Sequence, residues 1–174
     1  MAVKLKSNGT GYCMSVLIVG PSAICEKLSA ALHEYSKKQE MYKLLVHSAN
    51  RVQDVVLSDT NTHVDFVVFW IDTSNTDCLD KLEQDISKLD IDFTIGRMCF
   101  VHGSDVKPGE MAVSYNAVWD LKKKYSVYLL AGNTTNEAKC FYLAGRILKL
   151  MSAVSGVYSG IPYIDCHCLP KEDM

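Results

Sequence analysis

The sequence predicts a three-layer α/β domain built on a mostly parallel sheet of about five or six strands. Three observations carry this expectation. Strand-like and helix-like patterns alternate along the chain, the order that builds β-α-β units. The segment Phe66-Val67-Val68-Phe69-Trp70-Ile71 is apolar without alternation. It therefore needs cover on both faces, as a central strand of a parallel sheet does. The length, 174 residues, is that of one domain.

The elements follow in order. Met14–Val19 is a short apolar run closed by Gly20-Pro21, a buried strand ending in a turn. Ser22 is placed to cap the next helix, whose face carries Ile24, Leu28, Ala31, Leu32 and Tyr35. Ser36–Glu40 is its polar end. Met41–His47 is a second strand, followed by a weaker apolar run, Val52–Leu57. The polar loop Ser58–His63 leads into the central strand, Val64–Ile71. An amphipathic helix comes next, with Leu79, Leu82, Ile86 and Leu89 inward. Asp80, Lys81, Glu83, Gln84, Asp85 and Lys88 read as its outer face. Met98–Val101 is a strand ending at His102-Gly103. Met111, Tyr115, Val118 and Trp119 mark another helix, closed by Lys122–Lys124, where positive charge suits the helix dipole. Val127–Ala131 is the last strand. Thr134 and Glu137 form a capping box for a helix running to about Val154. The organisation is a flexible N-terminus (1–13), one α/β domain (14–154) and an irregular C-terminal tail (155–174), partly packed or partner-binding.

Composition excludes several classes. With 48% hydrophobic and 22% charged residues, the chain is no disordered polar segment. A net charge of −2 and a pI near 6.2 argue against strong direct nucleic-acid binding. No apolar run reaches the roughly 18–20 residues of a membrane span, and Met14–Val19 is too short for a signal-peptide core. The expectation is an intracellular protein without membrane contact. Seven cysteines are an odd number, and no C-x-x-C pair suggests a zinc ribbon or a thioredoxin site.

In such folds ligands bind beyond the carboxyl ends of the strands, so the chemistry should lie in those loops. A P-loop needs G-x-x-x-x-G-K-[ST], glycines to admit phosphate to the backbone and lysine to neutralise it. Counted from Gly20, Cys25 stands at the second Gly, Glu26 at the Lys and Lys27 at the hydroxyl. A base-reading N-K-x-D after Met98–Val101 would fall at His102-Gly103-Ser104-Asp105, where Asp alone matches. A D-x-x-G fails at Asp59-Thr60-Asn61-Thr62 and at Asp72-Thr73-Ser74-Asn75, both without the Gly. Asp72 ends a strand as a phospho-accepting Asp would, but Gly20-Pro21-Ser22 supplies no acidic pair. Cys166-His167-Cys168 lacks a second ligand cluster. Cys25, near a helix start, would gain reactivity from a lowered pKa, or is simply packed. No G-x-S-x-G elbow exists. No loop holds a catalytic, cofactor or metal site.

Two stretches carry a family resemblance. Val64–Ile71 is followed by an amphipathic helix ending at Leu89-Asp90 and by Asp92-Phe93-Thr94-Ile95-Gly96-Arg97-Met98-Cys99-Phe100-Val101. This order resembles the centre of the centromere protein M family. The degraded loop after Ile18-Val19-Gly20 and the tail Gly160-Ile161-Pro162-Tyr163-Ile164 are similar too, so the likeness runs from Met14 to Leu169. The resemblance implies a small-GTPase-like (P-loop NTPase-like) fold with degenerate loops, a pseudo-GTPase without nucleotide, cofactor or catalysis. It implies a structural subunit of the inner kinetochore, in the constitutive centromere-associated network. The partners implied are centromere protein I, a helical-repeat protein bound directly, and centromere proteins H and K. The location implied is the nucleus, at the centromere and kinetochore, in support of chromosome segregation. Two other readings stay open on the residues alone: a divergent nucleotide-binding switch, and an adaptor pseudo-GTPase of another process such as membrane traffic.

A scaffold needs an exposed apolar surface, and two candidates stand out. Asp90–Ile95 reads as a loop with Ile91, Phe93 and Ile95 in alternation, or as an extension of the following strand. The tail carries Ile161, Tyr163 and Ile164, which either meet a partner or fold back over the domain's own core.

Overall fold

The computed structural model describes residues 12–39, 42–58, 64–103 and 106–155. The elements are β1 (Tyr12–Val19), α1 (Ser22–Gln39), β2 (Tyr42–Ala49), α2 (Val52–Ser58), β3 (Phe66–Ile71), α3 (Cys78–Ile86), the single turn α4 (Ile91–Thr94), β4 (Met98–Gly103), α5 (Tyr115–Tyr125), β5 (Tyr128–Gly132) and α6 (Glu137–Val154). A 3-10 turn, Pro108–Glu110, precedes α5. The five strands pair in the order β2-β1-β3-β4-β5, every pair parallel. The chain steps outward from β1 to β2, then crosses back to β3, so the order reverses between β1 and β3. That reversal is the topological switch point of a doubly wound sheet.

Alternation along each strand divides the core in two. Met14, Val16 and Ile18 of β1, Phe66 and Val68 of β3, Cys99 and Val101 of β4 and Leu130 of β5 face α1 and α6. Leu17, Val19, Val67, Phe69, Ile71, Met98 and Phe100 face α2, α3 and α5. On the first side α1 and α6 pack closely, because Gly145 lies flat on Tyr35. A Cβ at Gly145 would sit 2.5 Å from that ring. On the second side Phe100 meets Phe69 and Tyr125 edge-on, with centroids 6.2 and 6.4 Å apart. The entry to β3 is pinned to β1 by polar contacts. Asp65 accepts from the Ser15 N–H at 2.7 Å and from the Ser15 hydroxyl at 3.1 Å.

Four expectations change. Val52–Leu57 is helical, its start set when the Asp54 carboxylate accepts the Arg51 N–H at 3.0 Å. Ser22 is already the first residue of α1, and the Pro21 carbonyl accepts the N–H groups of Ile24 and Cys25. The cap of α6 is Asn136, which accepts from the Lys139 N–H, and Thr134 is buried outside the helix. The Asn133 side chain accepts the N–H groups of Thr135 and Asn136, which moves the helix start past Thr134.

The fourth change is Asp85. It lies one turn from Leu82 on the inner face of α3 and is 3% exposed. Arg51, from the β2–α2 turn, donates to it through Nε at 2.8 Å. The same guanidinium reaches the Lys81 carbonyl and Gln84, which locks α2 to α3. Removing one partner of such a pair leaves a buried charge unmatched. Arg51→Ala is therefore expected to cost about 3 kcal/mol in denaturant unfolding. Arg51→Ala combined with Asp85→Leu should recover most of that loss.

Candidate functional site

The carboxyl edge of the sheet is where this topology places ligands, and β1 leaves it through Gly20. The Gly20 N–H donates to the Ala49 carbonyl at 3.0 Å, tying the exit of β1 to that of β2. Helix α1 then begins at Ser22, so Gly20 and Pro21 alone form the connection. A phosphate cradle needs a longer loop whose N–H groups converge on one point. Here Pro21 has no N–H to offer, and the residues after it are wound into the helix.

Cys25, at the position where the cradle needs its second Gly, turns its thiol inward. Sγ lies 3.4 Å from the Gly20 carbonyl and 3.9 Å from that of Ile18. Burial pushes its pKa up, with Glu26 adding in the same direction against a backbone hydrogen bond. The activated-thiol alternative for Cys25 is thus overturned: nearness to a helix start is outweighed by desolvation. Across the edge, Trp70 presses on the turn. A Cβ at Gly20 would stand 2.8 Å from Trp70 Cβ, and one at Gly132 would stand 3.2 Å from the far side of the indole. The ring therefore crosses the end of β4 between them.

Two shallow clefts remain beside Trp70. One of about 230 Å³ is bordered by Gly20, Arg51, Asp72, Lys81 and Asp85. The other, about 330 Å³, is bordered by Ile24, Asp72, Ser74, Glu110 and Thr134. Small-molecule sites run from roughly 300 to 1,000 Å³, so the first is too small and the second marginal. The charges do not favour phosphate either. Among the described residues the lining of the second cleft carries Asp72 and Glu110 as its charged groups, and in the first Arg51 and Lys81 stand beside Asp72 and Asp85, with Arg51 engaged by Asp85. Asp72 is held by its own turn, accepting from the Ser74 N–H and hydroxyl. The Asp59–Thr62 stretch, Ser104, Asp105 and Cys166-His167-Cys168 lie outside the described residues. Among the described residues no three His, Cys, Asp or Glu side chains gather as metal ligands would.

The apolar candidates take a different form from the one expected. Asp90–Ile95 is neither a loop of alternating side chains nor a strand extension but the turn α4. Phe93 N–H donates to the Asp90 carbonyl at 3.0 Å, and Thr94 Oγ1 to that of Ile91 at 2.7 Å. Gly96, at φ 105°, ends it and redirects the chain into β4. A helical turn puts residues four apart on one side. Ile91 and Ile95 accordingly share the solvent side, 67% and 45% exposed, while Phe93 packs against the core on the α2, α3 and α5 side of the sheet. Ile161, Tyr163 and Ile164 lie outside the described residues.

One surface feature escaped the sequence reading, which placed Tyr115 and Trp119 on the marking face of a helix. Val118 and Leu121 are the buried residues of α5. Tyr115 and Trp119, four apart, stack outside with centroids 6.2 Å apart. His102 meets Tyr115 edge-on, and Lys122 Nζ lies 4.7 Å above the Trp119 ring. The i, i+4 aromatic spacing was the available signal.

Comparison with known proteins adds one match. The family model for Centromere protein M (CENP-M) fits residues 10–171. No curated protein matches the chain.

Restoring residue types should not restore a nucleotide site, because the turn is too short. The triple variant Cys25→Gly, Glu26→Lys, Lys27→Ser is expected to give no heat with GTP and Mg²⁺ in isothermal titration. Micromolar binding would show that loop length is not the obstacle. Thiol chemistry should follow burial. Cys99, whose pKa burial raises to about 12, and Cys25 and Cys140, also raised chiefly by burial, carry little thiolate at pH 8. Exposed Cys13 should be alkylated by iodoacetamide at least tenfold faster than these three, read by peptide mass mapping.

Proposed function

The chain belongs to the centromere protein M family, and from this we propose that it is a non-enzymatic structural subunit of the inner kinetochore. It keeps the layered frame of a small GTPase and has given up the nucleotide. The observation that carries this reading is the two-residue turn between β1 and α1, closed over by Trp70. A switch protein needs that loop to sense the state of a phosphate. With the loop gone, the domain has one conformation to offer and serves as a rigid docking block. Its place is the constitutive centromere-associated network, where it supports kinetochore assembly and chromosome segregation.

Its direct partner is centromere protein I, in a subcomplex with centromere proteins H and K. A helical-repeat protein presents a continuous curved surface with grooves between helices. Ile91 and Ile95 fit that surface as exposed side chains on one turn, stiffened from below by Phe93. Ile161, Tyr163 and Ile164 form the second contact. Apolar anchors of this kind carry most of an interface's energy when they seat in a pocket.

Ile95→Glu and Ile91→Glu should each weaken binding to purified centromere protein I at least tenfold, which is about 1.4 kcal/mol, in a titration or pull-down series. The cooperative thermal melt should stay where it is, because both side chains are solvent-exposed. Undiminished binding by the double variant would remove α4 from the interface. Recovery of coat or motor subunits in place of kinetochore subunits by affinity purification would sink the functional reading.

A further inference from the structure

The sheet ends in two edge strands, and they differ. β5 has five residues. β2 has eight, without proline and in unbroken register with β1 from Tyr42 to Ala49. Backbone polar groups point to alternate sides along a strand. The Ala49 carbonyl accepts the Gly20 N–H, so Ala49, His47 and Leu45 turn their backbone groups toward β1. Leu44, Val46 and Ser48 turn theirs outward. Among the described residues nothing pairs with those outward groups. A long, regular edge of this kind is a template for a further strand. Leu45 adds an apolar side chain to it, 43% exposed.

We propose that β2 pairs antiparallel with β2 of a second copy of this chain, so that the two sheets become one. Three observations select a second copy as the occupant. The first is register. A two-fold axis at Leu45 sets Leu44 of one copy against Val46 of the other, and each such pair exchanges both of its backbone hydrogen bonds. Leu45 then meets Leu45 of the second copy in a non-bonded pair, where Cα atoms approach to about 4.5 Å and both exposed side chains leave water. The second is the helix above the edge. α1 shares one core with Val16 of β1 and Leu44 of β2, so it lies over both strands. Two α1 helices related by the axis then stand about 10 Å apart, an ordinary packing distance. The third is charge. α6 packs on the Tyr35 side of α1. Glu26 and Lys37 lie on the other flank, above the β2 edge, separated by about three turns. Both are exposed, and neither has an ion-pair partner among the described residues. They stand on either side of the middle of α1, so the axis brings Glu26 of each copy against Lys37 of the other. In the strand order β1 and β3 separate β2 from β4, and the pairing leaves Ile91 and Ile95 of both copies open.

The test uses the full chain, free of any partner, so its result does not depend on the kinetochore reading. In sedimentation equilibrium at low salt the mass should rise from 19.4 kDa toward twice that value. The rise should be nearly complete at about 100 µM protein. Leu45→Lys should weaken the dimer at least tenfold and keep a cooperative melt. Glu26→Lys and Lys37→Glu, each alone, should also weaken it at least tenfold, because like charges then face each other across the axis. An equal mixture of these two variants should associate as tightly as the parent chain, since opposite charges meet again at both contacts. In hydrogen exchange the outward amides of Leu44 and Val46 should slow at least tenfold from dilute to concentrated protein, while the inward amide of Leu45 keeps its rate. A parent chain that stays at 19.4 kDa over this range overturns the proposal, whether the edge is open or taken by another segment. A dimer that survives Leu45→Lys, or a mixture that fails to associate, overturns it equally.

Discussion

Strand β3 is buried on both of its faces, and the remaining architecture follows from that condition. Phe66, Val67, Val68, Phe69 and Ile71 are each at most 2% exposed. Each large apolar side chain taken out of water contributes about 1.5–3 kcal/mol, but only if something covers it. An antiparallel hairpin partner would leave one face to solvent. Parallel neighbours, reached through helical crossovers, place a layer of helices on each side. β1 and β4 flank β3, and the two cores take alternate residues from all three strands. The domain is held from its centre outward.

The same packing accounts for the closed carboxyl edge. Trp70 belongs to β3, and its indole extends from beside Gly20 to beside Gly132. Both glycines leave room that a side chain would take up. Cys25 seals the turn from the helix side through contacts to strand carbonyls. The crevice that other doubly wound sheets use for ligands is thus narrowed to a shallow cleft of about 230 Å³. A fold does not prescribe an activity, and here side chains of the sheet crowd the carboxyl edge while exposed apolar surface appears at α4.

The electrostatics show the same economy. Asp85 is a charge placed where the sequence pattern expects solvent, and Arg51 answers it from an adjacent turn. Such a pair adds little net stability, but it is costly to break. It fixes how α2 sits against α3. Surface pairs such as Lys38 with Glu34, both well exposed, contribute only a few tenths of a kcal/mol. The cluster of His102, Tyr115, Trp119 and Lys122 is held by ring contacts instead.

Much of the layering was legible in the residues. Apolar runs of strand length and helical spacing reflect whether a side chain meets water, and that is a local property of the pattern. Met14–Val19, Phe66–Ile71 and Met98–Val101 therefore declared themselves. What the sequence could not state depends on neighbours distant in the chain. Asp85 is buried because Arg51, 34 residues earlier, comes to meet it. Asp90–Ile95 winds into a turn because Phe93 has a core to enter, which splits an apparent alternation into one inward and two outward side chains. Thr134 lost the cap of α6 to Asn136 because Asn133 accepts the Thr135 and Asn136 N–H groups while Asn136 itself accepts the Lys139 N–H. The sequence by itself determined which segments must leave water. Only the tertiary structure decided which partner each one found, since that choice rests on distances between residues the chain order keeps apart.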